Sequence, residues 1–486
     1  MVALPSSDYR PRDPAASVLR TIVQRHVETF LVEAGRQREG EGVPRFVEAE
    51  FRAFLACGWL AGGFARFRCG GCGLDRLVAF SCKGRGFCPS CGGRRMAARA
   101  AHLVDHVLPD VPVRQWVLSL PPRVRYVLAW DHDLCKRVVR ILLREVERHL
   151  RARARDRGAR DPRGGAVAIV QRFGGALNLN VHVHALVLDG LFTRAGNGRV
   201  IFHRAAAPTA ADAADILTAV AVRVERLIAS RGGGSDDADG GSDPFAEATP
   251  VLAGLASASV LGVDGLGRSP GRTPRRLGGE VPEVTARCDA PHARWNAFDL
   301  HAGVCVPAGR RDRLERVCRY ALRPPVADER LRLTADGQVV WQLRQPWRDG
   351  TTHLVFTPTA FLARLAVLVP RPRVNLVLYH GVLAPRAAWR ADVVPRRVAA
   401  AVAGSEPANG SATRAPQGSN HSWALLMRRA FGFDVLACPR CGGRLRLVAL
   451  IETPAVTQRI LRHLHLPSET PTPWPARASP LYEESP

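Results

Sequence analysis

The sequence predicts a mixed α+β chain, and three observations carry that expectation. Apolar residues recur at helical spacing over 15–35, 46–64, 131–155, 310–322 and 358–368. Apolar runs of strand length lie at 113–121, 166–173, 177–188 and 374–382, with strand-like pieces at FDLHAGVCV, QVVWQLR and THLVFTP. Two Cys-x-x-Cys pairs, at 69–72 and 88–91, mark a small metal-organised ribbon.

Composition narrows the partners. The 486 residues carry 69 basic against 44 acidic side chains, a formal charge of +25. Such a balance favours a polyanion such as DNA. Nearly all of the charge is guanidinium, because Lys83 and Lys136 are the lysines, and guanidinium grips phosphate oxygens bidentately. No apolar run approaches the ~18 residues of a membrane span, and MVALPSSDYRPRD lacks the apolar centre of a signal peptide, so a soluble, cytoplasmic protein is expected. Six of the twelve cysteines fall in x-x-spaced pairs, which in a reducing compartment points to metal ligation.

Along the chain, two packing helices precede the cysteine-rich stretch FRCGGCGLDRLVAFSCKGRGFCPSCGGRR. Fifteen residues separate the pairs, the spacing of a closed tetrahedral zinc site formed by Cys69, Cys72, Cys88 and Cys91. Such a site leaves no open position, so its zinc is structural. Cys82 is a fifth candidate ligand. Lys83, Arg85 and Arg94 on this module are candidate DNA contacts, though a solvated charged face would look the same. A long basic helix at 131–155 follows. From Arg231 the Gly/Asp/Ser run RGGGSDDADGGSDP reads as a flexible insertion, with order resuming near Trp295. A second break spans 403–420. In the tail, Cys438-x-x-Cys441 is half a site that His463 and His465 could complete.

The stretch NLNVHVHALVLDG, 178–190, holds the most chemistry. Strand alternation puts Leu177, Leu179, Val181, Val183, Ala185 and Val187 on one face and Asn178, Asn180, His182 and His184 on the other. Two imidazoles on one polar face can hold a divalent ion and leave positions open for substrate; hydrogen-bonded structural histidines would give the same pattern. Asp189-Gly190 supplies a turn.

In DRLERVCRYALRPP, Leu314, Val317, Cys318 and Ala321 form the buried stripe of a helix that Pro324-Pro325 ends. Tyr320 falls about 120° from that stripe, beside Arg313, Arg316 and Arg323. Neighbouring guanidinium groups favour the phenolate, which could attack a DNA phosphodiester. Of the five tyrosines, Tyr379 beside His380 is the alternative nucleophile, while Tyr9 and Tyr482 lie near the ends.

FRCGGCG, SCKGRGFCPSCGGRRMA, QWVLSLP, NLNVHVHALVLDG, FDLHAGV, RVCRYALRPPVADERL, PWRDGTTHLVF and YHGVLAP together resemble the rolling-circle insertion-sequence transposases of the HUH (His-hydrophobe-His) nuclease superfamily that carry an N-terminal zinc-binding domain, including their common-region branch. The resemblance implies a nuclease domain with a mainly antiparallel sheet over 110–400, interrupted by a flexible insertion at 231–285. Before it come an N-terminal helical segment (1–45) and a zinc-binding domain (46–98); after it come a linker (401–422) and a small C-terminal tail module (423–486). It implies that His182 and His184 hold a catalytic Mg²⁺ or Mn²⁺, that Tyr320 is the nucleophile, and that Arg313, Arg316 and Arg323 contact DNA. Single-stranded element ends are the expected substrate, in a bacterial, nucleoid-associated setting. Arg316 occupies the position where some relatives carry a second tyrosine, so the single-tyrosine branch is implied. His301 is the first candidate for a third metal ligand, ahead of Asn178 and Glu329. The competing expectations are a zinc-ribbon DNA-binding protein without catalysis and a metal-dependent DNA hydrolase.

Overall fold

The helices expected at the N-terminus form at Val18–Arg36 (α1) and Arg45–Ala56 (α2), both amphipathic and buried along one side. The second ends well before Phe64. Cys57 is already extended, and Gly58 takes φ +83°, so the chain turns out of the helix into a hairpin of Phe64–Cys69 (β1) and Asp75–Ala79 (β2). The computed structural model describes residues 13–36, 41–230, 243–267, 270–278, 291–394, 423–432 and 434–477.

Helix Pro89–His106 (α3) leads into Val113–Ser119 (β3), Pro122–Trp130 (α4) and His132–Arg155 (α5), whose first turn is capped by the Asp131 carboxylate accepting from the Leu134 amide. Strands Gly165–Phe173 (β4), Leu179–Leu188 (β5), Gly190–Arg194 (β6) and Val200–Arg204 (β7) follow. Then come Ala210–Ala229 (α6), Pro244–Ala248 (α7), Pro250–Leu261 (α8), Arg275–Gly278 (β8), His292–Trp295 (β9), Phe298–Val306 (β10) and Arg311–Leu322 (α9). The remainder comprises Leu331–Leu333 (β11), Val339–Gln342 (β12), Thr351–Phe356 (β13), Pro358–Leu368 (α10), Val377–Gly381 (β14), Arg390–Val393 (α11), Trp423–Phe431 (α12), Leu445–Ile451 (β15) and Pro454–His463 (α13).

The expected α+β class, with antiparallel pairing, is what forms. The largest sheet has the order β14-β4-β5-β3-β10-β9, and every pairing in it is antiparallel. The H-x-H strand β5 lies inside it, and both of its faces are covered. Leu179, Val181, Val183, Ala185 and Val187 enter the main core as the alternation requires. The opposite face was expected to be polar. Toward its C-terminal end it is apolar instead: Leu186 and Leu188 pack with Val167 and Ile169 of β4, Leu103 and Val104 of α3, and Leu314, Cys318 and Ala321 of α9.

Asp189-Gly190, expected as a turn, joins β5 directly to β6. Its carboxylate is buried and receives Arg114 Nε and Nη2 at 2.8 and 2.9 Å, while Arg114 Nη1 donates to the Ala302 carbonyl at 3.0 Å. The pair thus ties β3, the end of β5 and β10 together. Gly190 has no room for a side chain, because a Cβ would come within 2.2 Å of the His203 carbonyl oxygen across the β6–β7 hairpin.

The insertion expected over 231–285 is not structureless throughout. Residues 231–242 lie outside the described residues, but α7, α8 and β8 form within the span. Helix α8 is apolar nearly all round and packs beside β5, where Ser259 Oγ accepts from the Leu179 amide at 2.8 Å. Its flanking Gly- and Asp-rich runs hid it. The linker expected at 401–422 lies outside the described residues, and past it β15 adds to β1 to give a sheet β15-β1-β2.

Removing one partner of the buried pair leaves an uncompensated charge. Asp189→Ala should therefore cost about 3–5 kcal/mol in equilibrium urea unfolding, and the apolar double replacement R114M/D189L far less. Equal losses in the two variants would contradict this account.

Candidate active site and metal centres

Register places the histidines. Across the sheet, His182 stands between Gln171 of β4 and Ser119 of β3, and His184 between Ile169 and Val117. Both rings are buried, with 9% and 3% of their surface exposed. His182 Nδ1–H donates to the Asn180 carbonyl at 2.8 Å, which leaves Nε2 with its lone pair. His184 Nδ1 is held by the Gln115 side-chain amide at 2.9 Å. The two Nε2 atoms converge to 3.1 Å, close to the ~3 Å expected of two nitrogens at about 2.1 Å from one ion. Burial lowers His182 to about 4. Burial, the neighbouring His182 and Arg323 lower His184 to about 3, so both are neutral near pH 7, the form that ligates a metal.

Helix α9 brings Tyr320 to this pair. Its ring meets the His184 ring edge-on, with centroids 5.9 Å apart, and Tyr320 is 47% exposed, open to an incoming substrate. Arg323 lies over the phenol at 4.3 Å and Arg344 at 5.8 Å. The guanidinium of Arg330 adds to the crowd: burial first, then Arg344 and Arg323, lower it to about 10. Arg323 Nη1 is buried without a hydrogen-bond partner among the described residues, a donor free for a phosphate oxygen.

Gln171 escaped the sequence reading because it sits in an apolar run. Its Nε2 donates to the Ala321 carbonyl at 2.7 Å and the Tyr320 carbonyl at 3.2 Å, fixing the last turn of α9, while its Oε1 is buried without a partner among the described residues. The Asn180 Oδ1 is likewise unpartnered. Gln171 stands directly across from His182, and Asn180 lies two residues before it on β5, whereas His301, on β10, pairs with Val117 of β3, two strands and about 10 Å from β5, with its ring near His292. Glu329 lies in the short turn at Asp328–Arg330, and Asn178 in the turn that precedes β5.

The other named residues spread more widely. Arg313 and Arg316 are exposed on α9, the latter 3.1 Å from Asp312. Lys83, Arg85 and Arg94 are exposed near the cysteine module, and Arg85 donates to the Val374 carbonyl. Tyr379 is on β14, opposite Val167 and in line with Leu186, not with the histidines; burial raises its phenol. Tyr9 and Tyr482 lie outside the described residues.

The cysteines regroup. Cys69, Cys72, Cys88 and Cys91 do not share one centre: Cys88 and Cys91 gather with Cys57 and Cys82, while Cys69 and Cys72 gather with Cys438 and Cys441. In each group all four sulfurs lie within 4.8 Å of one another. The hairpin explains the split. Cys69 and Cys72 sit at its turn, whereas Cys57 and Cys82 flank its base, where Phe64 pairs with Ala79; a six-residue strand separates the two ends by about 17 Å.

In the first group, Cys57 Sγ lies 3.7 Å from Cys88 and 3.8 Å from Cys91, and Cys82 lies 3.3 Å from Cys91. Four thiolates about 2.3 Å from a tetrahedral zinc would stand about 3.8 Å apart, so the set fits that ion. The amides of Cys82 and Gly84 donate to Cys57 Sγ and Cys82 Sγ, both at 3.3 Å, and hydrogen bonding with the Cys82 side chain is the chief cause that lowers the Cys57 thiol to about 7. Glu50 accepts from the Gly86 and Arg85 amides at 2.7 and 3.3 Å, fixing the loop that carries the ligands. Cys57 was missed because it ends what looks like an uninterrupted helix.

The depressed histidines have a consequence for stability. The unfolded chain takes up protons at these positions below about pH 6.5, while the folded chain resists until about pH 4 and below. Stability is therefore lost as pH falls through that window, by a few kcal/mol for the pair. The urea midpoint should drop between pH 7 and 4.5, and H182Q/H184Q should flatten the drop; an identical slope in the variant would count against burial as the cause.

Residues 22–120 match the family model described as "Transposase zinc-binding domain", and residues 165–390 the one described as "Putative transposase". No curated protein and no solved structure matches. Among the described residues no helix is long and apolar enough to cross a membrane. The chain thus joins a region matching a transposase zinc-binding domain to one matching a transposase family, and the two together support a DNA-cleaving and DNA-joining transposase.

Proposed function

We propose that this transposase nicks and rejoins single-stranded DNA through a covalent bond to Tyr320, as a single-tyrosine member of the HUH superfamily. The observation that carries the reading is the phenol of Tyr320 standing 5.9 Å, ring to ring, from the convergent imidazole pair. In the first step the Tyr320 oxygen bonds to phosphorus, the bond from phosphorus to the leaving deoxyribose oxygen breaks, and that oxygen takes a proton to become a free hydroxyl end. In the second, a strand-end hydroxyl attacks the phosphotyrosine, and the phenol is restored.

Arg323 and Arg344, over the phenol ring, meet the charge on the phosphate oxygens. His182 and His184, neutral and fixed by Asn180 and Gln115, are the residues that would hold a Mg²⁺ or Mn²⁺, with Gln171 Oε1 as a hard oxygen beside them. When bound, such an ion polarises the scissile phosphate. Gln171 also sets the phenol's position through its bonds to the helix carbonyls. Exposed Arg313, Arg316, Lys83, Arg85 and Arg94 extend the positive surface along which the strand would run. Cys57, Cys82, Cys88 and Cys91 would hold the structural zinc.

Trapping on a single-stranded oligonucleotide tests the reading. The wild type should give a covalent adduct that Tyr320→Phe abolishes, and His182→Ala should slow adduct formation at least about a hundredfold. Cleavage that survives Tyr320→Phe would indicate a hydrolase, and binding without cleavage a DNA-binding module.

Affinity for the same oligonucleotide should fall steeply with salt, by about three hundredfold between 50 and 200 mM if about six phosphates are contacted. A flat salt response, measured by fluorescence anisotropy, would remove the arginine–phosphate basis of the binding.

A further inference from the structure

We infer that Cys69, Cys72, Cys438 and Cys441 form a second zinc site, built half from the N-terminal hairpin and half from the C-terminal segment. The matched zinc-binding region ends at residue 120, so half of this ligand set lies outside it. The inference is independent of the strand-transfer reading.

Two matching knuckles build the site. Each is Cys-x-x-Cys-Gly. In the first, the Gly73 amide donates to the Cys69 carbonyl at 3.1 Å and the Cys69 amide to the Leu74 carbonyl at 2.9 Å; in the second, the Gly442 amide donates to Cys438 at 2.9 Å and the Cys438 amide to Gly443 at 2.7 Å. Gly73 and Gly442 take φ +70° and +71°, the left-handed step that folds each pair of sulfurs inward. Across the knuckles, Cys69 Sγ lies 3.5 Å from Cys441 and Cys72 Sγ 3.5 Å from Cys438, near the ~3.8 Å edge of a tetrahedral four-sulfur site and far beyond the ~2.05 Å of a disulfide. His463 and His465, the sequence's candidates to complete the Cys438 pair, are not among the ligand atoms that gather here.

Packing alone is too slight to hold this junction. Strand β15 buries only its two ends, Leu445 and Ile451, while Leu447, Val448 and Leu450 are more than half exposed. The cores beneath it are small: Cys69, Cys438 and Leu445 at one end, Phe64, Ile451 and Leu461 at the other. Four thiolates on one ion supply the cohesion that so little apolar burial does not.

The full-length protein, purified without chelator, should contain two zinc ions per chain by elemental mass spectrometry. C438S/C441S should contain one, and trypsin should then cut it at Arg440, Arg444 and Arg446 while the wild type resists there. As a check that needs no variant, a thiol-directed reagent with a zinc-sensitive dye should release two equivalents from the wild type. One equivalent in the wild type, two retained in C438S/C441S, or an intact mass after alkylation showing disulfides among these cysteines would each overturn the second site.

Discussion

The position of α9 is the constraint on which the candidate site depends, and three other elements impose it. Arg311 in its first turn donates to the carbonyls of Val104, Leu108 and Pro109, the C-terminal end of α3 and the residues just past it. At the other end, Gly92 of α3 lets Pro324 approach so closely that a Cβ would stand 2.5 Å from the proline ring. Gln171 grips the last turn from the sheet, and Arg429 of α12 bridges Asp105 of α3 to Glu315 of α9. The phenol therefore sits where α3 puts it. Since Cys88 is the N-cap of α3 and Cys91 lies in its first turn, the first cysteine cluster and the Tyr320 site form one mechanical unit.

Charge is distributed with the same economy. Some structural arginines are matched to carboxylates, as Arg114 is to Asp189 and Arg364 to Asp264, and others, such as Arg172 and Arg311, to backbone carbonyls. Around Tyr320 the pattern differs: Arg323, Arg330 and Arg344 crowd together over aromatic rings, and burial first, then the other two guanidinium groups, lower Arg330. Grouping like charges costs folding free energy, and a phosphate backbone is the ligand that relieves it.

What was legible in the sequence was local. Helix α10 forms over 358–368, α5 and α9 begin and end within a residue of their apolar patterns, and β5 keeps the alternation that put both histidines on one side. What was hidden depends on partners far along the chain. Asp189 reads as a turn residue until Arg114, 75 positions earlier, meets it. Gln171 reads as an interruption in an apolar strand until α9 lies across it. Helix α8 has too little amphipathic pattern to stand out from its glycine-rich surroundings, because its exposed side, with Gly254, Ser257 and Leu261, carries no charge to set it apart from the buried one.

The cysteines carry this lesson furthest. Two Cys-x-x-Cys pairs fifteen residues apart satisfy the spacing of a single zinc site, yet spacing measures contour and not direction. An antiparallel hairpin returns the chain to its starting end, so Cys82 meets Cys57 at the base while Cys69 and Cys72 remain at the turn. Each pair must then find a second pair elsewhere. One finds Cys57 and Cys82 at the foot of the same hairpin, the other finds Cys438 and Cys441, 366 or more residues away. The hairpin becomes a strut with a metal-binding cluster at either end: the near cluster starts the helix that positions Tyr320, and the far one receives the C-terminal strand that pairs along β1. Interleaving two sites in one short segment lets a small, weakly apolar domain brace both the helix that carries Tyr320 and the C-terminal strand.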